Sequence, residues 1–264
     1  MMWRRQATPD WLAGNEEQLR HCAGTQLAVI HRVGRKRILL EIAGTKRNLK
    51  AIEARFGGTI SFLPRNTFTA SGQRRSIRIG RSLTIFNARP SQCSQKTLVI
   101  PAGAAFGTGE HATTAMSLRL LEQLSRKLSP GWRLLDLGTG SGILALAARK
   151  LGATKVIGID IDPRAIATAK ANAKANKITG ADFRVAEVRD CCQRKRSDVV
   201  TANLFSAVLL EILPELHEAR WLICSGVLRS QEEEVVRAAL RSGFDIERIR
   251  RRGKWVALLC NGKQ

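Results

Sequence analysis

The 264-residue chain lacks the features of membrane, secreted and zinc-binding proteins. No stretch approaches the roughly 20 uninterrupted apolar residues of a membrane-spanning helix, and the opening MMWRRQATPDW has no apolar centre like that of a signal peptide. The six cysteines show no C-x-x-C spacing, which argues against a disulfide framework or a zinc site. We therefore expect a cytoplasmic protein with no membrane partner and no bound metal.

Acidic residues are also scarce, because 22 Asp and Glu stand against 44 Lys and Arg, leaving a formal charge of +22. Such an excess suits work beside RNA, since basic side chains that neutralise phosphates release counterions. A basic bias shared by a whole proteome would give the same composition, so both interpretations stay open. The basic runs at 35–37, 194–196 and 250–252 are each more typical of solvated surface than of a specific site.

The first third of the chain predicts a small α+β domain. Residues 26–63 have the pattern strand, strand, helix, strand, in the segments QLAVIHRV, RILLEIAG, TKRNLKAIEARFG and GTISFL. A polar loop at 66–75, an extended piece at 78–88 and a linker at 89–96 follow. We place the boundary near residue 95, with a small domain at 1–95 and a larger one at 96–264.

The larger domain alternates strands with helices, which is typical of a parallel sheet covered on both faces. Only Arg252 and Gly253 separate the last two strands, which predicts an antiparallel hairpin. The expected fold is a doubly wound α/β protein with a seven-stranded class I methyltransferase sheet. The strands are predicted at 133–138, 155–162, 181–188, 198–203, 221–228, 244–251 and 254–261, and the helices at 111–127, 141–152, 163–177, 205–220 and 231–243.

A glycine-rich loop, D-L-G-T-G-S-G, joins the first of these strands to a helix. Gly138, Gly140 and Gly142 permit a sharp turn and a close approach of the backbone to a ligand. A dinucleotide site would have G-x-G-x-x-G, with the helix receiving a pyrophosphate. Here the spacing is G-x-G-x-G, and the carboxylate of Asp136 would repel pyrophosphate but can hold the cationic amino group of methionine. The loop therefore favours S-adenosylmethionine over NAD.

Two further carboxylates, Asp160 and Asp162, end the next strand about twenty residues after the loop. A carboxylate at this place can accept hydrogen bonds from both ribose hydroxyls and so hold the nucleoside. We expect only one of the two to reach the sugar. Asp162 is preferred because it lies nearer the exit of the strand, whereas Asp160 could cap the following helix or close the loop.

Two more segments carry candidate site residues. Thr113 and Thr114 follow the glycine-rich AFGTGEHA and fall in the first turn of a helix, where they can reach a ligand or merely cap the helix. Asn203 ends the fourth core strand in N-L-F-S. Its amide carbonyl can accept a hydrogen bond from a substrate amine and point the amine lone pair at a methyl group. Asn203 is therefore the candidate catalytic residue.

These segments together resemble the lysine methyltransferases of ribosomal protein L11, the PrmA family. The resemblance covers about residues 97–264 and is specific, because F-G-T-G-x-H-x-T-T joined to G-I-D-I-D-P and N-L is not general to methyltransferases. It implies repeated N-methylation of lysine ε-amines and of an N-terminal α-amine. It also implies S-adenosylmethionine held at Thr114, Gly140, Asp162 and Asn203, with Phe106 and Gly107 closing over the cofactor.

The same resemblance implies that the N-terminal domain grips a ribosomal protein. That domain matches only in outline and is strongly basic, and a basic substrate would be slowed by like charges. Either the enzyme meets its target near ribosomal RNA or the target differs. His111 could act as a base, although orienting the loop fits it better, and Glu110 is as readily a helix-start charge.

Two other functions remain open. An RNA methyltransferase suits the charge, but N-L-F-S lacks the two prolines and the aromatic ring that stack a flipped adenine in N-P-P-Y enzymes. The other is a noncatalytic RNA-binding protein on a degenerate methyltransferase fold. The intact glycine loop, the carboxylate at the end of the next strand and Asn203 argue against a loss of catalytic function.

Overall fold

The computed structural model describes residues 2–23, 27–30, 37–43, 46–61, 76–101, 109–191 and 197–262. The chain divides into two compact units, Met1–Gln73 and Arg74–Gln264. Among the described residues, no helix has the length and apolar character needed to cross a membrane.

The first unit is a four-stranded antiparallel sheet in the order β2-β3-β1-β4, with a core that includes Trp3, Leu40 and Leu49. The elements expected between residues 26 and 63 are present, but β1 and α1 were not predicted. Two successive arginines interrupt the alternation of apolar residues that would have predicted a strand at β1. Strand β1 lies inside the sheet because it pairs with both β3 and β4. The elements are β1 (Met2–Ala7), α1 (Pro9–Ala23), β2 (Leu27–Ile30), β3 (Ile38–Ala43), α2 (Lys46–Phe56) and β4 (Thr59–Ser61).

The second unit begins with a small sheet of β5 (Ser76–Ile79), β6 (Leu83–Phe86) and β7 (Thr97–Val99). The segment that the sequence indicated as one extended piece is thus a hairpin. It packs in the core of the second unit, and the buried carboxylate of Glu122 accepts hydrogen bonds from its turn. The second compact unit therefore starts upstream of the boundary that the sequence indicated near residue 95.

The main sheet of the second unit has seven strands in the order β10-β9-β8-β11-β12-β14-β13. The first five run parallel, and β14 lies antiparallel between β12 and β13. This arrangement confirms the predicted methyltransferase sheet with its closing hairpin. The strands are β8 (Arg133–Leu137), β9 (Lys155–Asp160), β10 (Ala181–Val185), β11 (Val199–Asn203), β12 (Trp221–Leu228), β13 (Phe244–Arg252) and β14 (Trp255–Gly262).

Two apolar cores cover the faces of this sheet. One contains residues of α3, α4 and α5, and the other contains residues of α7 and α8. The helix expected over 205–220 was wrong in extent, because a 3₁₀ turn carrying Pro214 follows Ile212, and proline disfavours a continuing α-helix. The helices are α3 (Ala112–Ser125), α4 (Ile143–Lys150), α5 (Pro163–Ala175), α6 (Val188–Cys191), α7 (Ser206–Ile212) and α8 (Glu232–Arg241).

Candidate active site

The glycine loop connects β8 to α4 at the carboxyl ends of the parallel strands. Gly138, Gly140 and Gly142 have φ values of 70°, 54° and 80°, in the left-handed region that favours glycine. A Cβ atom on Gly138 would also lie 2.3 Å from Cδ2 of Leu204, which follows β11. The turn therefore favours glycine at all three positions, and at Gly138 the close approach of Leu204 adds a second requirement.

Asp136 lies beneath this loop and is only 1% exposed. Its Oδ2 accepts a hydrogen bond from the Thr139 hydroxyl at 2.6 Å, and its Oδ1 accepts one from the Thr201 hydroxyl at 2.7 Å. Burial raises the pKa of this carboxyl to about 6, although the threonine hydrogen bonds oppose the shift. In the structure the carboxylate joins the loop to β11 through these two hydroxyls, and its contact with a methionine amino group stays a prediction.

Asp160, the last residue of β9, contacts the loop directly. Its Oδ2 accepts a hydrogen bond from the backbone N–H of Gly140 at 2.9 Å. Its Oδ1 accepts one from the N–H of Asp162 at 3.0 Å. The structure thus realises the alternative in which Asp160 closes the glycine loop.

Asp162 has a different set of partners. It caps the N-terminus of α5, where its Oδ1 accepts a hydrogen bond from the Arg164 N–H at 2.9 Å. The Arg164 guanidinium also donates to both of its carboxylate oxygens, at 3.1 and 3.2 Å. These hydrogen bonds from Arg164 hold the pKa of Asp162 below its usual value. The preferred carboxylate is thus engaged by the start of its helix, while Asp160 is the one beside the glycine loop.

The structure brings Asn203 and Thr114 together, although they are far apart in the sequence. Nδ2 of Asn203, at the end of β11, donates to the Thr114 hydroxyl at 3.4 Å. Because this hydrogen bond is made by the amide nitrogen, Thr114 does not occupy the carbonyl oxygen of Asn203. The pair joins the first turn of α3 to the strand end that borders the glycine loop.

The first turn of α3 is also anchored to the sheet by a residue that the sequence did not indicate. Ser225 on β12 is fully buried, and its hydroxyl donates to the Thr113 carbonyl at 3.3 Å. Thr113 and Thr114 are each 1% exposed, so they are part of the packed first turn. A lone serine in an apolar strand carries no periodic signal, which is why sequence patterns missed it.

His111 is the residue before α3, and its Nδ1 lies 2.7 Å from the Thr113 hydroxyl. Its ring packs edge-on against Trp255, with the ring centres 5.2 Å apart. Burial and the nearby charge of Lys254 lower the pKa of His111 below its usual value. These contacts suit an orienting role at the start of α3.

Three large apolar side chains are exposed at the same edge of the sheet. Ile161, Val185 and Phe205 are 64%, 53% and 79% exposed, and they follow or end β9, β10 and β11. Val185 pairs with Asp160 in the parallel ladder. Apolar groups clustered beside polar loop atoms are typical of a ligand-binding surface.

Phe106 and Gly107 lie outside the described residues, so their closure over a cofactor stays a prediction.

A separate cavity of about 540 Å³ lies near the opposite ends of the strands. Its lining includes Arg133, Lys155 and Gly180, all at or before the beginnings of β8, β9 and β10. None of its described lining residues belongs to the glycine loop. The candidate active site is therefore the carboxyl edge of the sheet, where the predicted polar residues meet.

Comparison with known proteins gives a consistent set of relatives. The family model described as Ribosomal protein L11 methyltransferase (PrmA) matches residues 72–263. A ribosomal protein L11 methyltransferase from Symbiobacterium thermophilum is 37% identical over 193 residues, which cover 70% of this chain and 62% of that protein. One from Pseudomonas aeruginosa (strain LESB58) is 40% identical over 189 residues, covering 69% and 62%.

Among solved structures, a ribosomal protein L11 methylase from Lactobacillus delbrueckii subsp. bulgaricus has a TM-score of 0.62 and 29% identity. The match covers 72% of this chain and 99% of that one. The chain spans less than two thirds of the length of the two curated relatives. The family match begins near the start of the second compact unit, so it does not extend over the first.

Proposed function

Because the chain belongs to the ribosomal protein L11 methyltransferase (PrmA) family, we propose that it transfers methyl groups from S-adenosylmethionine to amines of ribosomal protein L11. The acceptors are lysine ε-amines and the N-terminal α-amine. The observation that carries the proposal is the contact between Asn203 and Thr114 beside a glycine loop that Asp160 closes. This arrangement supports the proposal because it brings the Asn203 amide close to the first turn of α3, at the sheet edge that carries the glycine loop.

The residues at the carboxyl edge suit S-adenosylmethionine chemically. The Asp160 carboxylate can accept hydrogen bonds from the ribose hydroxyls, and Ile161 and Val185 offer an apolar surface to the adenine ring. Asp162, which the sequence favours as the ribose acceptor, is the other candidate for this contact. When bound, the cofactor supplies an electrophilic methyl group on a sulfonium.

The protein contributes mainly position, since methyl transfer requires a neutral amine in line with the methyl–sulfur bond. The Asn203 carbonyl accepts an N–H of the amine and so directs its lone pair. A lysine that is partly desolvated and close to a positive charge has a lowered pKa and loses its proton to water without a dedicated base. His111 then holds the start of α3 and takes no part in proton transfer.

We assign recognition of the protein substrate to the N-terminal unit. In the sequence its range was 1–95, and the compact unit of the structure is Met1–Gln73. Its own apolar core supports a separate role.

Contact with ribosomal RNA and a cytoplasmic location are part of the proposal, since the acceptor is a ribosomal protein.

The experiment is incubation of the protein with methyl-labelled S-adenosylmethionine and either free recombinant L11 or ribosomes from a strain lacking the native enzyme. Label in L11, located on amines by mass spectrometry, supports the proposal. Label in ribosomal RNA would instead identify an RNA methyltransferase, and no label in either would indicate a noncatalytic protein. An Asn203→Ala variant is the matched control, because it should bind the cofactor and transfer label far more slowly.

A further inference from the structure

Strand β13 forms one edge of the seven-stranded sheet and carries a row of arginines. A bulge lies between Ile246 and Arg248, and beyond it Arg248, Arg250 and Arg252 pair with Leu259, Ala257 and Trp255. Side chains of paired residues share a face of the sheet, and these three partners lie in or against the core that contains α3. Arg248, Arg250 and Arg252 therefore lie on the α3 side of the edge strand. The intervening Arg251 lies on the other side, where Glu232 of α8 pairs with it.

A fourth arginine joins this row from α3. Helix α3 packs against β13. Burial, the charge of Arg248 and the charge of Arg119 lower the pKa of Arg250, so both of these guanidinium groups lie within electrostatic range of Arg250. We call Arg119, Arg248, Arg250 and Arg252 the arginine row. It combines cations from two elements of the fold on one surface.

No acidic partner offsets these charges within the described part of the chain. Lys127 and Arg251, which flank the row, have ion pairs with Glu247 and Glu232. Among the described residues, none of the four members has such a pair, and Nε of Arg250 is buried without a hydrogen-bond partner. The row therefore concentrates positive charge that no ion pair among the described residues neutralises, and such a surface attracts an external polyanion.

Protection of the sheet edge explains only part of this arrangement. Charged side chains on an edge strand prevent pairing with another chain, and exposed arginines on β13 alone would suffice for that. Edge protection requires neither a further arginine from α3 nor a partly buried one. The arrangement therefore favours a ligand that brings several negative charges to the row.

We propose that the arginine row binds the phosphate backbone of RNA. Alternate residues of a strand stand about 7 Å apart, so the row offers regularly spaced cations to a regularly charged polymer. Guanidinium groups bind phosphate oxygens in pairs of hydrogen bonds, and a chain of net charge +22 attracts polyanions over a distance. Arg252 pairs with Trp255, which packs against His111, so the row leads towards the candidate active site. The inference rests on the RNA contact of the proposed function and names its surface, and it does not depend on which amine is methylated.

The test compares two triple variants of equal charge. The row variant is Arg119→Gln, Arg248→Gln and Arg252→Gln, which leaves the partly buried Arg250 in place. The control is Arg237→Gln, Arg241→Gln and Arg251→Gln, all on α8 or facing it. The probe is a fluorescent single-stranded RNA of mixed sequence, and its binding is followed by anisotropy at several salt concentrations.

The row variant should bind this RNA at least about tenfold more weakly at low salt. Its plot of log affinity against log salt should also flatten by about 2, since each lost phosphate contact removes about 0.7. The control should retain the wild-type slope. The single variant Arg248→Gln, at an exposed position, should flatten the slope by about 0.7 and provides the test if the triple variant does not fold.

Equal losses in the row variant and the control would overturn the proposal, because net charge alone would then explain binding. So would absence of RNA binding by the wild type, or competition by polyglutamate as effective as that by unlabelled RNA, which would indicate an acidic protein partner. Methylation of free L11 by the row variant is measured in parallel. If the row variant still methylates L11 while its RNA binding falls, the RNA-binding inference is tested independently of the proposed methyl transfer.

Discussion

Asp136 is a carboxyl group buried beneath the glycine loop, and its burial makes it a sensitive reporter of the folded state. Its pKa is raised to about 6, above the ordinary value of 3.8. The folded protein therefore holds the proton more tightly than the unfolded chain does. Stability from this group is greatest at low pH and is lost as the pH rises through about 6.

We expect Asp136→Asn to remove this pH dependence, because the amide does not ionise. Between about pH 5 and pH 8, the unfolding free energy of the wild type should fall by about 1.4 kcal/mol relative to the variant. Urea denaturation at several pH values measures the difference between the two proteins. Parallel curves for wild type and variant would show that the carboxyl titrates normally.

The carboxylates of Asp160, which ends β9, and Asp162, which follows it, differ in their partners, so their replacements should differ in effect. Asp160→Asn should weaken S-adenosylmethionine binding by roughly 1–3 kcal/mol, since a charged acceptor beside the glycine loop is lost. Asp162→Asn should change the affinity less, because its carboxylate is engaged by Arg164. Isothermal titration calorimetry of both variants decides between them. The reverse order would support the sequence-based preference for Asp162.

Asn203 is expected to act mainly in the transition state. Asn203→Ala should lower kcat by about 10²-fold, the scale for removing a preorganised polar group at a reacting centre, with a smaller change in cofactor affinity. Asn203→Asp should recover activity as the pH rises, because a carboxylate stabilises the unreactive ammonium form of the substrate amine. Steady-state kinetics on L11 at several pH values test both. A wild-type rate from Asn203→Ala would leave this residue a structural role only.

At the scale of elements, the exits of β8 and β11 are packed against each other through a glycine. Gly138 has a φ of 70°, and a Cβ there would lie 2.3 Å from Leu204. Gly253, in the β13–β14 turn, has a comparable φ of 58° but nothing within 4 Å of its Cβ position. Comparing an alanine substitution at each glycine therefore distinguishes the cost of backbone strain from the cost of crowding.

We expect Gly138→Ala to destabilise the protein by about 3 kcal/mol, from left-handed strain together with overpacking against Leu204. Gly253→Ala should cost about 1 kcal/mol, from strain alone. Urea denaturation of both variants measures the difference. Equal losses would mean that Leu204 moves aside without cost and that the close approach does not constrain the loop.

At the scale of the whole molecule, the two compact units have separate apolar cores. Removing residues 1–73 should leave a second unit that folds and binds S-adenosylmethionine with near-wild-type affinity, because the candidate site lies wholly in that unit. Methylation of intact L11 should fall to background, since the proposed grip on the substrate is lost. Calorimetry and the label-transfer assay measure the two properties. Full activity of the truncated protein on L11 would contradict the division of labour.

The sequence by itself determined the order of the strands in the seven-stranded sheet, because hydrophobic period and turn chemistry are local properties. The glycine loop, the carboxylates at the exit of β9 and the asparagine that ends β11 could be identified for the same reason. The central place of β1 was not, since it depends on pairing with strands that lie far along the chain. The start of the second unit was likewise set by the packing of the β5–β6 hairpin.

Only the tertiary structure decided the surroundings of each charged group. The pattern G-I-D-I-D does not show the partners of its two carboxylates: Asp160 accepts a hydrogen bond from the Gly140 N–H, and Asp162 pairs with Arg164. The run at 250–252 looked like solvated surface until strand pairing separated Arg251 from its neighbours and α3 added Arg119. The physical reason is that burial and electrostatic partners arise from contacts between distant segments, whereas sequence patterns record the periodicity of one segment at a time.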